Sequence, residues 1–182
     1  MFEEFVLTAS TTDLAEEPRA REHADAVEFR MDLASDPLAQ IDAYDGELPL
    51  LVTNRASWEG GEAADGAGRF DALSAALGHD AVAAVDVELA ALRGNAPEGE
   101  ESHATALRDT AREEGVDVVV SVHDFESTPE PGALVDLLAD AASEGDVGKL
   151  ATTATAPEDA LAMIEATHEA TAAGHRVATM CM

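Results

Sequence analysis

Residues 115–124 read Gly115-Val116-Asp117-Val118-Val119-Val120-Ser121-Val122-His123-Asp124, and their order decides the fold. Val118-Val119-Val120 is a near-continuous apolar run, the pattern of a strand covered on both faces, and such strands belong to parallel sheets. Gly115 stands just ahead of it, where the loop from a helix to a strand calls for a left-handed cap. Working outward, further β-rich runs fall near 4–9, 26–31, 49–54, 81–88, 147–152 and 176–182, with Ala-, Glu- and Leu-rich stretches of helical length between them. Helix starts are signalled at Thr12-Asp13, Ser35-Asp36-Pro37, Thr128-Pro129 and Ala156-Pro157-Glu158-Asp159. Gly78 and Gly174 precede strands as Gly115 does. Strand–helix alternation at this spacing predicts parallel βαβ units. A doubly wound open sheet accommodates seven strands and six helices. A (β/α)8 barrel calls for one more helix, strand and helix, and typically about 250 residues. Periodicity alone leaves both open.

The chain has 182 residues, 38 of them acidic and 10 Lys or Arg, for a formal charge of −28. Its 46% apolar content suffices for one sizeable core, so residues 1–182 are expected to form a single domain. The charge argues against nucleic acid and anionic membrane surfaces, both of which would repel it. No apolar run approaches the roughly 20 residues that span a bilayer. The start, Met1-Phe2-Glu3-Glu4-Phe5, lacks the basic segment of a signal peptide. With a single cysteine, Cys181, this predicts a cytoplasmic protein. Nine of the ten basic residues are arginine, and Lys149 is the only lysine. Abundant acid with almost no lysine suits a halophilic protein, because molar salt screens acidic self-repulsion. Lys149 is then either a chance survivor or an amine with a task arginine cannot perform, such as forming an imine. Composition sets these readings level.

Polar residues interrupt strands that ought to be apolar, and each is costly to bury unless paired. Glu28, Arg30 and Asp32 share one face of the second strand by its two-residue period. The third ends Thr53-Asn54-Arg55, with Trp58-Glu59 close behind. Asp86 and Glu88 share a face of the fourth, His123-Asp124 end the fifth, and Lys149 lies in the sixth. A buried ion pair accounts for one such defect. Defects in consecutive strands, several at C-terminal ends, point to an active site at that end of a parallel sheet or barrel. Two arginines suit an anionic or hydroxyl-rich small substrate. Burial favours the neutral, nucleophilic amine of Lys149, although nearby carboxylates push the other way. His123 is placed to move protons.

The remaining histidines, His23, His79, His103 and His168, are expected at exposed positions, and His175 at a helix–strand junction. None shows metal-ligand spacing, so no metal is predicted. The acidic loop 94–102 reads as solvated surface, and the glycines of 58–68 fit neither a dinucleotide fingerprint nor a P-loop. Met180 and Met182 either line the site or fill core. Cys181, alternating with them, should face the helices and is given no chemistry.

These motifs together resemble type I 3-dehydroquinate dehydratase. The likeness covers the whole chain in order: Glu28-Phe29-Arg30-Met31-Asp32, Arg55-Ala56-Ser57-Trp58-Glu59-Gly60-Gly61, Asp86-Val87-Glu88-Leu89, Ser121-Val122-His123-Asp124-Phe125, Asp146-Val147-Gly148-Lys149-Leu150 and Thr179-Met180-Cys181-Met182. Each motif is short; six in order are specific. The resemblance implies a (β/α)8 TIM barrel needing no cofactor, and dehydration of 3-dehydroquinate to 3-dehydroshikimate in the shikimate pathway of aromatic amino-acid biosynthesis. By the same resemblance Lys149 matches the Schiff-base lysine, His123 the general acid/base and Glu59 the carboxylate that orients it. Glu28, Arg30, Arg55 and, most weakly, Thr8 match substrate-binding positions. The family continues past the Met-x-Met strand with an arginine for the substrate carboxylate and a loop whose serine and glutamine close over the ligand. Residues 1–182 hold no counterparts, so a barrel lacking its final helix–strand–helix is expected, with an open seam between first and seventh strands. A piece of a longer product, a shortened chain and a degenerate one all fit that pattern.

Other readings of the same residues are a class I aldolase-like Schiff-base lyase and a non-catalytic remnant that binds a ligand or partner. The Glu-x-Arg strand and His-Asp-Phe favour the dehydratase. The expected partner is a small-molecule substrate, with a homodimer possible. The charge makes one prediction independent of the chemistry: stability and activity rise with salt, measured by thermal melts and initial rates across a salt series. A flat profile overturns the reading.

Overall fold

The computed structural model describes residues 1–2 and 4–182. Glu3, in the stretch read above as lacking a leader, and the Glu98 side chain, in the acidic loop, lie outside the described residues. Seven parallel strands form one sheet in chain order: β1 (Thr8–Thr11), β2 (Ala26–Arg30), β3 (Leu50–Thr53), β4 (Val82–Glu88), β5 (Asp117–Asp124), β6 (Val147–Thr152) and β7 (Val177–Cys181). Helices α1 (Pro37–Asp42), α2 (Ala67–Leu77), α3 (Leu89–Leu92), α4 (Glu101–Glu114), α5 (Pro131–Glu144) and α6 (Pro157–Ala172) fill the connections, with a 3-10 helix over Leu14–Arg19 after β1.

The sheet curls. Neighbouring strands lie about 4.8 Å apart, so in a flat sheet β2 and β6 would stand about 19 Å from one another. Instead Lys149 Nζ on β6 lies 3.1 Å from Glu28 Oε1 on β2. That closure defines an inside and an outside. Outside, Val27, Phe29, Leu50, Val52, Val85, Val87, Val118 and Val120 pack against the helices. Leu150 does the same beneath α5 and α6, with Leu134, Leu138 and Met163. Inside, a small layer of Leu51, Ala84, Val119 and Val147 closes the N-terminal end, with Met1 and Phe2 packed on it. The Met1 ammonium pairs with Asp117 at 2.5 Å. Above that apolar floor the inward positions turn polar. The architecture is an α/β barrel-like fold with β1 and β7 as end strands among the described residues.

Most expected elements form, and the differences have local causes. The first strand occupies 8–11 rather than 4–9, because only there does it pair with β2, Thr8 opposite Ala26 through Thr11 opposite Phe29. Phe5 and Leu7 are exposed instead. The helix expected at Pro129 begins at Pro131; Thr128 donates to the Thr153 carbonyl and bonds the Thr152 hydroxyl, holding the loop against β6. Gly115 and Gly174 are left-handed as expected, but Gly78 is right-handed, with φ −69°. His79 is half-buried, edge-on to Tyr44, with Nδ1 accepting from the Ala81 N–H. In the loop expected to be solvated acid, Glu100 is buried against Arg69. Cys181 faces the helices as expected. Met180 and Met182 lie on the inward face and are exposed, so neither fills core.

Gly148, next to the lysine, is fixed by packing. A Cβ there would stand 2.8 Å from the Ala142 nitrogen and 2.9 Å from the Leu138 carbonyl oxygen, both α5 backbone that cannot yield locally. Gly148→Ala should therefore destabilise by about 1–3 kcal/mol in chemical denaturation; an unchanged midpoint would show α5 able to move away from β6.

Candidate active site

The inward polar side chains converge at the C-terminal half of the barrel. Register brings Ser121 level with Glu88 on β4 and with Lys149 on β6, so β4, β5 and β6 each send polar groups into one space. Arg55, just past β3, crosses it: Nη2 donates to Asp86 Oδ1 at 2.8 Å, and Nη1 donates to Ser121 Oγ at 2.7 Å and lies 3.2 Å from Glu88 Oε1. Glu88 also takes Arg69 at 2.7 Å, and Arg69 takes Glu100 at 2.7 Å, a buried chain of alternating charge reaching α2 and the loop after α3. Each partner offsets the desolvation of the next, as buried charges require. Burial opposes the Arg55 charge, yet Asp86 and Glu88 hold it firmly protonated. Burial likewise pushes Asp86 up, but Arg55 and then Lys149 outweigh it, leaving Asp86 well below the usual carboxylate range.

Lys149 lies between carboxylates rather than in the apolar interior that its strand suggested. Glu28 Oε1 is 3.1 Å and Asp86 Oδ2 3.5 Å from Nζ. Thr53 donates to Glu28 at 3.1 Å and fixes its direction. His123 sits one inward position above Ser121, on the strand beside Lys149. Its Nδ1 is bonded to Glu59 Oε1 at 2.8 Å, which leaves Nε2 as the ring nitrogen available to a ligand. Burial disfavours charge on both members of this pair. It lowers His123 to about 3, helped by Arg55, and raises Glu59 to about 8 against the pull of Arg55. Burial thus keeps the imidazole uncharged at neutral pH, and with its own proton on Nδ1, directed at Glu59, Nε2 is free to take a proton and later to return it. The Phe125 ring lies parallel to the imidazole, centroids 5.8 Å apart. Gly60, left-handed with φ 79°, makes room for it: a Cβ there would stand 2.3 Å from the ring.

Of the residues singled out from sequence, the structure brings Lys149, Glu28, Arg55, His123 and Glu59 into one cluster. Arg30 lines the same face at its open end, half-buried, with Nε and Nη2 on Asp32 at 2.8 and 2.6 Å. Arg55, expected to meet substrate, is 3% exposed and engaged by three partners. Thr8 faces inward but is level with Ala26, one layer below Glu28, and makes no side-chain hydrogen bond to the cluster among the described residues. Sequence reading underrated Asp86 and Ser121 and missed Arg69, whose signal was an arginine on the side of α2 that buries Phe70, Leu73 and Leu77. No three His, Cys, Asp or Glu among the described residues converge to hold a metal ion. Two surface concavities, of ≈ 400 and ≈ 610 Å³, lie beside the 3-10 helix and α1, lined by residues such as Leu14, Tyr44 and Ser35, and contain none of this cluster.

Comparison with known proteins gives this geometry its context. The family model described as type I 3-dehydroquinase matches residues 5–182. A 3-dehydroquinate dehydratase of Haloarcula marismortui is 60% identical over 181 residues, covering 100% of this chain and 77% of that protein. One from Halobacterium salinarum is 55% identical over 182 residues, covering 100% and 78%. The crystal structure of 3-dehydroquinate dehydratase from Geobacillus kaustophilus superposes with a TM-score of 0.81 at 28% identity, covering 99% of this chain and 74% of that one.

The buried His123–Glu59 pair makes a pH prediction. The folded state holds the Glu59 proton up to about 8, whereas the unfolded chain releases it near the ordinary glutamate value of 4.5. The folded state therefore binds more protons across that window, and stability falls as pH rises through it. Between about pH 7 and about pH 9, above the histidine's own titration, Glu59→Gln should lose less stability than the parent in denaturant melts. Parallel losses would remove the basis for a neutral pair.

Proposed function

Since this chain belongs to the type I 3-dehydroquinase family and dehydrates 3-dehydroquinate in the shikimate pathway, we propose that Lys149, His123 and Glu59 carry out the chemistry. The Lys149 amine, after giving up a proton, adds to the C3 ketone, and loss of one water leaves a protonated imine. The cationic imine draws electrons from the adjacent C2–H bond. His123 Nε2 takes the C2 proton, and the electron pair moves to the imine nitrogen as an enamine. The enamine expels the C1 hydroxyl, which leaves as water with a proton from the same imidazole. Water then hydrolyses the conjugated imine, releasing 3-dehydroshikimate and restoring the amine. Proton abstraction and return by one ring nitrogen need a base that remains neutral in a buried site, which the Glu59 bond to Nδ1 supports.

Glu28 and Arg30 are assigned to the substrate's hydroxyl and anionic groups. Arg55, enclosed by Asp86, Ser121 and Glu88, is assigned to the substrate end of the site by the family resemblance alone, and Thr8 to a more distant contact. The observation that carries the assignment is the sole lysine on the inward face of β6, beside a Glu-oriented histidine on β5. The unpaired Cys181 is compatible with a reducing cytoplasm, and residues 1–182 are read as one barrel unit. No helix among the described residues is long and apolar enough to cross a membrane.

Borohydride added with 3-dehydroquinate should fix an adduct on Lys149, identified by peptide mass spectrometry. Lys149→Arg should abolish it, because arginine forms no such imine. His123→Ala should still trap while turnover falls roughly 10²–10⁴-fold. A trap in the arginine variant, or an unchanged rate in the alanine variant, defeats the corresponding role.

A further inference from the structure

Asp86 is placed unlike any other carboxylate in the barrel. Its side chain is fully buried, and both donors that approach it bind the same oxygen: Arg55 Nη2 at 2.8 Å and Ser121 Oγ at 2.7 Å from Oδ1. Oδ2 is buried and has no hydrogen-bond partner among the described residues. A lone buried carboxylate oxygen is costly, and such atoms are rare outside functional sites. This one is aimed at the Lys149 nitrogen, 3.5 Å away. Resting on the assignment of Lys149 above, we propose that Asp86 is a positioning residue for that lysine: Arg55 and Ser121 pin Oδ1, and the free oxygen serves as counter-ion to the nitrogen through each cationic stage.

The nitrogen is positive at three stages of the cycle: as the ammonium before condensation, as the protonated imine after one water has left, and as the conjugated imine once the C1 hydroxyl has gone. Two carboxylates are within reach, and they differ. Glu28 is 17% exposed in its side chain and stands at the substrate space, where a ligand competes for it. Asp86 has no exposure, cannot swing away from its two donors, and is shielded from salt, so its charge persists when molar electrolyte screens the surface. The groups facing this nitrogen and its counter-ion are Glu28 and Arg30 from β2, Arg55 after β3, Glu59 beyond it, Glu88 from β4 and His123 from β5. Among these, Asp86 alone is anchored on one oxygen and open on the other toward Lys149. Ser121 thereby acts at one remove, holding the carboxylate whose far oxygen meets the lysine.

The test is the pH dependence of Lys149 trapping by 3-dehydroquinate and cyanoborohydride, measured on the full chain in molar salt for the parent, Asp86→Asn and Ser121→Ala. Removing the counter-ion makes the cation less favourable, so the free amine persists to lower pH. The acid-side midpoint of trapping in Asp86→Asn should move down by about 1 unit or more, since an opposite charge this close moves a titration by roughly 1–3 units. Ser121→Ala, which frees Oδ1 from one of its two anchors and keeps the charge, should move the midpoint in the same direction but by less than Asp86→Asn. An unchanged midpoint in Asp86→Asn, or an equal shift in Ser121→Ala, overturns the proposal while leaving Lys149 as nucleophile. Absence of any adduct in the parent overturns the Lys149 assignment and this proposal with it. Far-UV circular dichroism establishes folding. If Asp86→Asn does not fold, Asp86→Ser takes its place; failure of both makes Asp86 a structural residue and defeats the positioning role.

Discussion

The guanidinium of Arg55 stands where β3, β4 and β5 send polar groups inward, and the other interior charges depend on it. It keeps Asp86 ionised, shares Glu88 with Arg69, and bonds the Ser121 hydroxyl. Without a buried cation here, Asp86 would be left with Lys149 and Glu88 with Arg69 as the only opposing charge in a low-dielectric interior, an arrangement that proteins avoid. With it, a carboxylate can be held beside the Lys149 nitrogen on one side while the histidine above stays neutral on the other. Proximity to Arg55 itself disfavours the imidazolium and favours the Glu59 carboxylate, so one guanidinium acts on both halves of the chemistry.

The chain's acidity has two meanings that a count merges. Most of its 38 acidic residues face solvent, where salt determines how strongly they repel. Asp86, Glu88, Glu100 and Glu59 are buried and paired with Arg55, Arg69 or His123. The second group is screened little by electrolyte. The chemistry can therefore retain its local electrostatics while the outer surface is tuned to a saline medium, as suits a chain related to haloarchaeal enzymes.

Aromatic and glycine positions finish the site. Phe125 lies flat on His123, and Gly60 gives up its side chain so that the ring can settle there. The imidazole is thus held by Glu59 at Nδ1 and by stacking on one face, leaving Nε2 as its working atom. Gly148 permits α5 to approach β6 directly behind Lys149, so the nucleophile is carried by a strand with little room to shift.

The sequence by itself determined the strand–helix order, because burial on both faces of a parallel strand forces runs such as Val118-Val119-Val120, and the two-residue period assigns each polar interruption to a face. It also isolated Lys149, since a lone lysine among arginines is visible in composition. Order along the chain does not say whether the sheet stays flat or curls, and that choice belonged to the tertiary structure. Only curling brings β2 to β6 and makes Glu28 the neighbour of Lys149. Only the packed interior reveals that Arg55 is enclosed, that Glu100 leaves the solvent for Arg69, and that one oxygen of Asp86 is free. Those are contacts between residues tens of positions apart, and their distances follow from how strands are stacked around an axis, which no local pattern encodes.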